Sequence, residues 1–321
     1  MRRAAIWLLT IGTATIVAHE QSQTPVFRTG TQLVTVDVSV LRRNAPVVGL
    51  TASDFEILDD GVPQRVVLLE PDTVPVDVSL VFDQTYFAQA RIGGRFQADL
   101  AAIAALLQPI DRLRVISFSA DVREIVPMQR THGWKTNDVP DVSPSAAVAS
   151  LQRAGRLDSR GLDFMQDPAL RRWSLFDALV VALARPAEMG RRHVVIAFCV
   201  GMDTASVMND GAMLEMIAAR TDGLLHIGFW NRRVMGQTRE GVAGQYAREA
   251  VTAAALATGG SVHDVANTVS AFKSILEDIR RSYVLQYTAT GVALGGWHTI
   301  VVKTPRFPNY TVRARRGYLG R

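Results

Sequence analysis

From residue 74 onward the chain alternates short apolar runs with amphipathic stretches, and this rhythm limits the folds open to it more than any other feature. "VPVDVSLVFD", "LRVISFS", "HVVIAFCV" and "GLLHIGFW" are apolar almost throughout, as strands buried on both faces of a sheet must be. Segments with helical periodicity lie between them. Residues 94–107 carry Phe96, Leu100, Ile103 and Leu107 on one face, and further helices are predicted from Leu175 and over residues 212–220, 242–257 and 268–281. A short strand is expected at residues 261–263. Strands separated by helices imply an α/β domain over residues 74–282, built on a mostly parallel sheet covered on both faces. "VREIVP" follows "LRVISFS" closely enough to pair with it as a hairpin, and the polar stretch 128–172 reads as a surface insertion with one helix near residues 144–153.

The two ends of the chain follow a different pattern. "QLVTVDVSV" alternates apolar and polar residues with β-branched side chains throughout, the signature of a half-buried strand. In "GLTASDFEILDDGVPQRVVLLE", Asp59-Asp60-Gly61 marks a turn between two short strands, and residues 51–54 suit one helical turn. After Ser282 come "YVLQYTA", a Gly-rich turn at residues 294–296, "WHTIVVKT" and "YTVRARRGYL", read as three strands. Residues 27–73 and 283–321 are therefore expected to pack together as one small antiparallel β unit.

Met-Arg-Arg followed by an apolar run from Ala4 to Ala18 has the charged start and hydrophobic middle of a secretory signal, and fifteen residues are too few for an ordinary membrane span. The expectation is an exported chain, periplasmic, cell-surface or secreted, with a signal over residues 1–18 and no membrane span after it. Losing that segment removes Arg2 and Arg3 and no acids, lowering the formal charge from +5 to +3, which is mild for a nucleic-acid binder. The basic ending, Arg313, Arg315, Arg316 and Arg321, alternates with Val312 and Ala314 as a strand with a solvated charged face does. The single cysteine, Cys199, sits in an apolar run and is expected to be a buried, inert thiol. Six histidines show no metal-binding helical spacing, and no nucleophile elbow, phosphate loop or dinucleotide fingerprint is present.

"LVFDQTYF" ends a predicted strand on Asp83, with a hydroxyl at Thr85 and an aromatic at Phe87. Asp-x-hydroxyl at the carboxyl end of a sheet strand places oxygens where open α/β sheets collect ligands. Together with "FRTGTQLVTVDVSVLRRNAPVVGLTASDFEILDDGVPQRV", "SLFDALVVAL", "GMDTAS" and "YVLQYTATG…VRARRGYL", this stretch resembles the bacterial von Willebrand factor A-related family first described from Acidobacteria. The resemblance implies a doubly wound, von Willebrand A-like sheet with a metal-ion-dependent adhesion site above it. That site takes Asp-x-Ser-x-Ser, a Thr from a second loop and an Asp from a third. Here Asp83 and Thr85 match, Phe87 replaces the second Ser, Trp173 stands at the Thr position with Ser174 beside it, and Cys199-Val200-Gly201 replaces Thr-Asp-Gly. The resemblance thus implies a degenerate site on a non-catalytic protein-interaction or adhesion module. No cofactor is expected beyond weak Mg²⁺ or Mn²⁺, held by Asp83, Thr85 and Ser174 if a remnant of the site persists.

The expected binding surface comprises Asp83, Thr85, Tyr86, Phe87, Trp173, Ser174, Val200 and Asp203, and the expected partner is a protein. Other readings stay open. Asp83 suits a structural hydrogen-bonding role, Ser174 with Asp177 fits a capping box, residues 203–206 fit a polar turn, and the aromatics suit core packing. At the level of function, the alternatives are an envelope hydrolase using Asp83 and Asp203 as acid and base, or a structural subunit of an envelope assembly.

Overall fold

The computed structural model describes residues 32–69, 74–83, 93–139, 172–185, 188, 190–219, 223–230 and 239–320. The expected signal at residues 1–18 and the expected helix near 144–153 lie outside them.

The opening strand, β1 (Leu33–Arg42), buries Val34, Val36, Val38 and Val40 and leaves the intervening residues more exposed, as its alternation requires. A two-residue turn at Arg43 and Asn44, both with positive φ, returns the chain into β2 (Ala45–Pro46). After one 3₁₀ turn at Ala52–Asp54 come β3 (Glu56–Asp59), β4 (Val62–Gln64) and β5 (Val67–Leu69). Asp60 and Gly61, at φ 46° and 82°, join β3 to β4 in the left-handed geometry that two-residue hairpins prefer.

The α/β pattern then runs through β6 (Val76–Asp83), α1 (Gly93–Leu106), β7 (Arg112–Phe118), β8 (Val122–Gln129), α2 (Leu175–Ala184), β9 (Arg192–Cys199), α3 (Asp210–Ala218), β10 (Gly223–Trp230), α4 (Arg239–Ala257), β11 (Val262–Val265) and α5 (Thr268–Arg281). The six strands form one sheet in the order β11-β10-β9-β6-β7-β8, parallel except for the β7–β8 hairpin. The strand β8 extends to Gln129, so the polar insertion starts later than its composition suggests.

Strict alternation divides the apolar side chains between the two faces. Val78, Leu80, Phe82, Val194, Ile196 and Phe198 pack against α1 and α5; Val81, Val195, Ala197 and Cys199 pack against α2, α3 and α4. Helices on both faces make the sheet doubly wound, as expected. Each fully buried Val, Leu, Ile or Phe contributes about 1.5–3 kcal/mol, which explains why the central strands tolerate few polar residues. None of the described helices is long and apolar enough to cross a membrane.

The chain ends in β12 (Tyr283–Thr288), β13 (Gly296–Lys303), β14 (Thr311–Ala314) and β15 (Gly317–Gly320). "YTVRARRGYL" is thus two strands rather than one, and they belong to different sheets. The strands β14, β1, β12 and β5 form one antiparallel sheet, with β2 on β1, while β15, β13, β3 and β4 form another. Val36, Val38, Leu285 and Tyr287 from the first meet Ile57, Ile300 and Tyr318 from the second in a shared core. The chain turns between the sheets at Arg315-Arg316, where Arg315 is buried with Nε donating to the Gly317 carbonyl and the Arg316 amide donates to the Ala257 carbonyl. Of the basic ending only Arg316 is exposed among the described residues. Arg315 is inside, and half-buried Arg313 donates to Ser39 Oγ.

Candidate functional site

The sheet reverses its winding between β6 and β9: the chain leaves β6 toward β7 on one side and returns to β9 on the other. Such a reversal opens a crevice beyond the carboxyl ends of the two strands. Asp83 is the last residue of β6 and is fully buried, in the same alternation as Val81 and so on the α2 side of the sheet. Cys199 ends β9. Burial, and then the Asp83 charge, push its thiol up to about 12, so it is the inert group its sequence context predicts.

The loop after β9 is fastened to the start of α2. Thr204 and Ala205 donate their amides to the Trp173 carbonyl at 2.9 and 3.0 Å, and the Trp173 amide donates to Thr204 Oγ1 at 3.1 Å. Asp203 Oδ2 accepts the Phe176 amide at 2.8 Å and the Ser206 hydroxyl. Asp177, in the first turn of α2, accepts the amides of Val207 and Met208 at 2.9 and 3.1 Å. Exposed amides at a helix start need acceptors, and here a distant loop supplies one while the helix holds the loop in return.

This network corrects the capping box. Ser174 precedes α2, yet its hydroxyl donates to the Ala120 carbonyl at 3.1 Å and makes no cap hydrogen bond. Asp203 takes that part instead. Burial holds its carboxyl above the ordinary value, outweighing the hydrogen bonds that pull it down.

Trp173 is 2% exposed and packs in the core with Phe118, Leu175 and Phe176, so it is no part of an open surface. Val200 is half-buried and touches the cores on both sides of the sheet. Thr85, Tyr86 and Phe87 lie outside the described residues. At the upper surface itself, Thr204 and Val207 are exposed, Val207 almost completely at 99%.

Sequence reasoning missed Arg248 on α4. Its guanidinium lies 3.9 Å from the Phe229 ring centroid, a cation–π arrangement, and its stem presses on Gly201. A Cβ at Gly201, whose φ is 77°, would come within 2.3 Å of Arg248 Cγ and 2.8 Å of the Phe229 ring. Asp83 and Arg248 act on Cys199 with opposite sign. The Arg248 guanidinium also lies 3.8 Å from the Asp264 carboxylate. The glycine in "CVG" was the available signal, because it permits the close approach.

No family model and no curated protein matches the sequence. Among solved structures the chain is similar in fold to von Willebrand A-domain proteins. One is BatB from Bacteroides thetaiotaomicron, at 14% identity over 64% of this chain and 97% of that one, with a TM-score of 0.41. Another is a von Willebrand factor type A protein from Catenulispora acidiphila, at 10% identity over 91% and 73%, with a TM-score of 0.38. A third is proximal thread matrix protein 1 from the mussel byssus, at 9% identity over 68% and 49%, with a TM-score of 0.43. At these scores the likeness is one of outline, and nothing about binding follows from it.

Two of the five positions an adhesion-type cation site would use, Thr85 and Phe87, lie outside the described residues. Mg²⁺ keeps its waters unless one or two carboxylates and further oxygens are arranged around it. Of the other three, Asp83 supplies a carboxylate, and Trp173 and Val200 supply no oxygen from their side chains; Ser174, beside the Trp173 position, supplies a hydroxyl oxygen whose proton goes to the Ala120 carbonyl. The Asp203 oxygens hold the loop to α2.

Proposed function

We propose that the chain is a non-catalytic protein-interaction module of the von Willebrand factor A-related kind, exported from the cell, whose metal-ion-dependent site is degenerate. The observation that carries this reading is the commitment of Asp203 as the cap of α2, because it occupies the acid that follows the missing third-loop position most closely in sequence. The same commitment argues against a hydrolase in which Asp203 works as acid or base. In place of a metal, the upper surface offers a fixed loop with an exposed apolar tip at Val207, held by Asp177, beside exposed Thr204. A rigid apolar contact with polar neighbours suits a protein partner recognised by shape.

Each part of the proposal has its own test. Calorimetric titration of the chain with Mg²⁺ and Mn²⁺ is expected to show no site at the upper surface, with no change on Asp83→Asn; tight binding lost in that variant would restore the metal site. Crosslinking capture from envelope extracts is expected to retain one reproducible protein, lost with Val207→Glu. Capture unaffected by Val207→Glu would move the interface elsewhere. Export is tested by cell fractionation and amino-terminal sequencing, with a mature start expected after about residue 18.

A further inference from the structure

The small β unit carries a second set of candidate ligands, remote in sequence from the α/β crevice. Asp59 ends β3, Asp60 opens the two-residue turn after it, and His298 lies on the neighbouring strand β13. One ligand atom from each of the three residues lies within 4.8 Å of the other two. His298 Nδ1 is 3.0 Å from Asp59 Oδ1 and 3.3 Å from Asp60 Oδ2.

Each carboxylate is divided in its duties. Asp59 Oδ2 accepts both the Tyr287 and Tyr318 hydroxyls at 2.8 Å, leaving Oδ1 toward the histidine. Asp60 Oδ1 accepts the Thr299 amide at 2.8 Å, leaving Oδ2 toward the same nitrogen. The outer oxygen of each is thus held by a protein donor, and the inner oxygens converge with Nδ1. This is how supporting hydrogen bonds orient metal-ligating carboxylates. His298 is fixed in turn by stacking on Tyr318, with ring centroids 4.7 Å apart.

Charge supplies an independent reason. Asp59 is fully buried, and no lysine or arginine among the described residues pairs with either carboxylate; their only ion-pair partner is His298. One imidazole nitrogen carries one proton, which serves two oxygens poorly. Burying carboxylate charge without a matching cation is costly. The 3.0 and 3.3 Å separations of Nδ1 from the two oxygens also suit a shared ion, because ligand atoms about 2.0–2.1 Å from one centre lie about 3.0–3.4 Å from each other.

We propose that Asp59, Asp60 and His298 bind one divalent first-row cation, with Zn²⁺ favoured by the mixed nitrogen and oxygen donors. His298 binds through Nδ1 as the neutral ring with its proton on Nε2. Asp60, whose side chain is 39% exposed, forms the open side where water completes the shell. The cation would tie the β3–β4 turn to β13 and so clasp the two ends of the chain.

The test uses the full chain stripped with a chelator and titrated with Zn²⁺ against a chromophoric competitor, with Co²⁺ absorption as the spectroscopic readout. One equivalent is expected to bind, with affinity falling at least about tenfold in Asp60→Asn and further in His298→Gln. Asp60→Asn keeps the acceptor for the Thr299 amide and tolerates positive φ, so it decides the matter even if His298→Gln fails to fold. Absence of binding by the wild type at about 100-fold excess Zn²⁺ over a micromolar protein would overturn the site. So would equal affinity in wild type and Asp60→Asn, which would place the metal elsewhere.

Discussion

Replacing Asp203 with alanine separates a helix cap from a ligand or catalytic acid. The change removes the acceptor of the Phe176 amide, at 2.8 Å, and of the Ser206 hydroxyl and amide. Losing an N-terminal cap costs about 1 kcal/mol, and leaving part-buried donors without an acceptor adds about 1 kcal/mol more. The expected loss is therefore ~2 kcal/mol, seen as a lower urea midpoint with an unchanged slope. Asp203→Asn keeps one carbonyl for the Phe176 amide and is expected to lose about half as much. The pH dependence adds a sign. Burial raises the Asp203 pKa above the ordinary 3.8, so the folded state binds that proton more tightly than the unfolded state does. Ionising Asp203 therefore costs stability above the folded pKa, and the cost is relieved as pH falls from there toward 3.8. The gap between wild type and Asp203→Asn should move in favour of wild type over that acidic window. A loss in Asp203→Ala under about 0.5 kcal/mol would refute the cap, since no lone cap so well placed is that weak.

Cys199 is expected to resist thiol reagents in the folded protein and to react only on unfolding, with burial and the Asp83 charge both opposing the thiolate; stoichiometric labelling under native conditions would show that β9 is misplaced. Gly201→Ala should cost about 1–3 kcal/mol by denaturant titration, because the added Cβ meets Arg248 and Phe229 at a positive φ. A neutral result there would mean that Arg248 does not cover the loop. Tyr287→Phe should cost about 1–3 kcal/mol by withdrawing a buried donor from Asp59, and combining it with Tyr318→Phe should cost more than the sum of the two single changes, since either tyrosine alone still serves the one oxygen and losing both leaves it without a hydroxyl donor.

The α/β frame was legible because buried parallel strands must be apolar on both faces. "HVVIAFCV" has no other economical use, and β9 runs from Arg192 to Cys199 as its pattern demands. The alternation of β1 was equally plain. The pairing of the terminal strands was not. "YTVRARRGYL" has strand-forming residues at both ends and two arginines between them, and composition alone makes it one strand with a wet face. The break depends on the Ala257 carbonyl at the end of α4, on the buried contact of Arg315 with Gly317 and on Gly259 packed against the Ala314 backbone, all distant in sequence or invisible to periodicity.

At the candidate site, residue type was legible and role was not. A serine before a helix with an acid three residues on has the composition of a capping box, and Ser174 with Asp177 satisfies it. The fold spends both elsewhere, on the Ala120 carbonyl and on the amides of Val207 and Met208. Oxygen-bearing side chains near a strand end serve equally well as metal ligands, helix caps or loop fasteners, since all three need a directed acceptor. What decides among them is which donors the tertiary fold delivers. Here the loop after β9 delivers amides and a hydroxyl to Asp203 and Asp177, while β12, β13 and β15 deliver two tyrosines and a histidine to Asp59. The first set satisfies its carboxylates with neutral donors. The second converges two carboxylates on one imidazole nitrogen, and that difference in charge sets the β unit apart from the crevice.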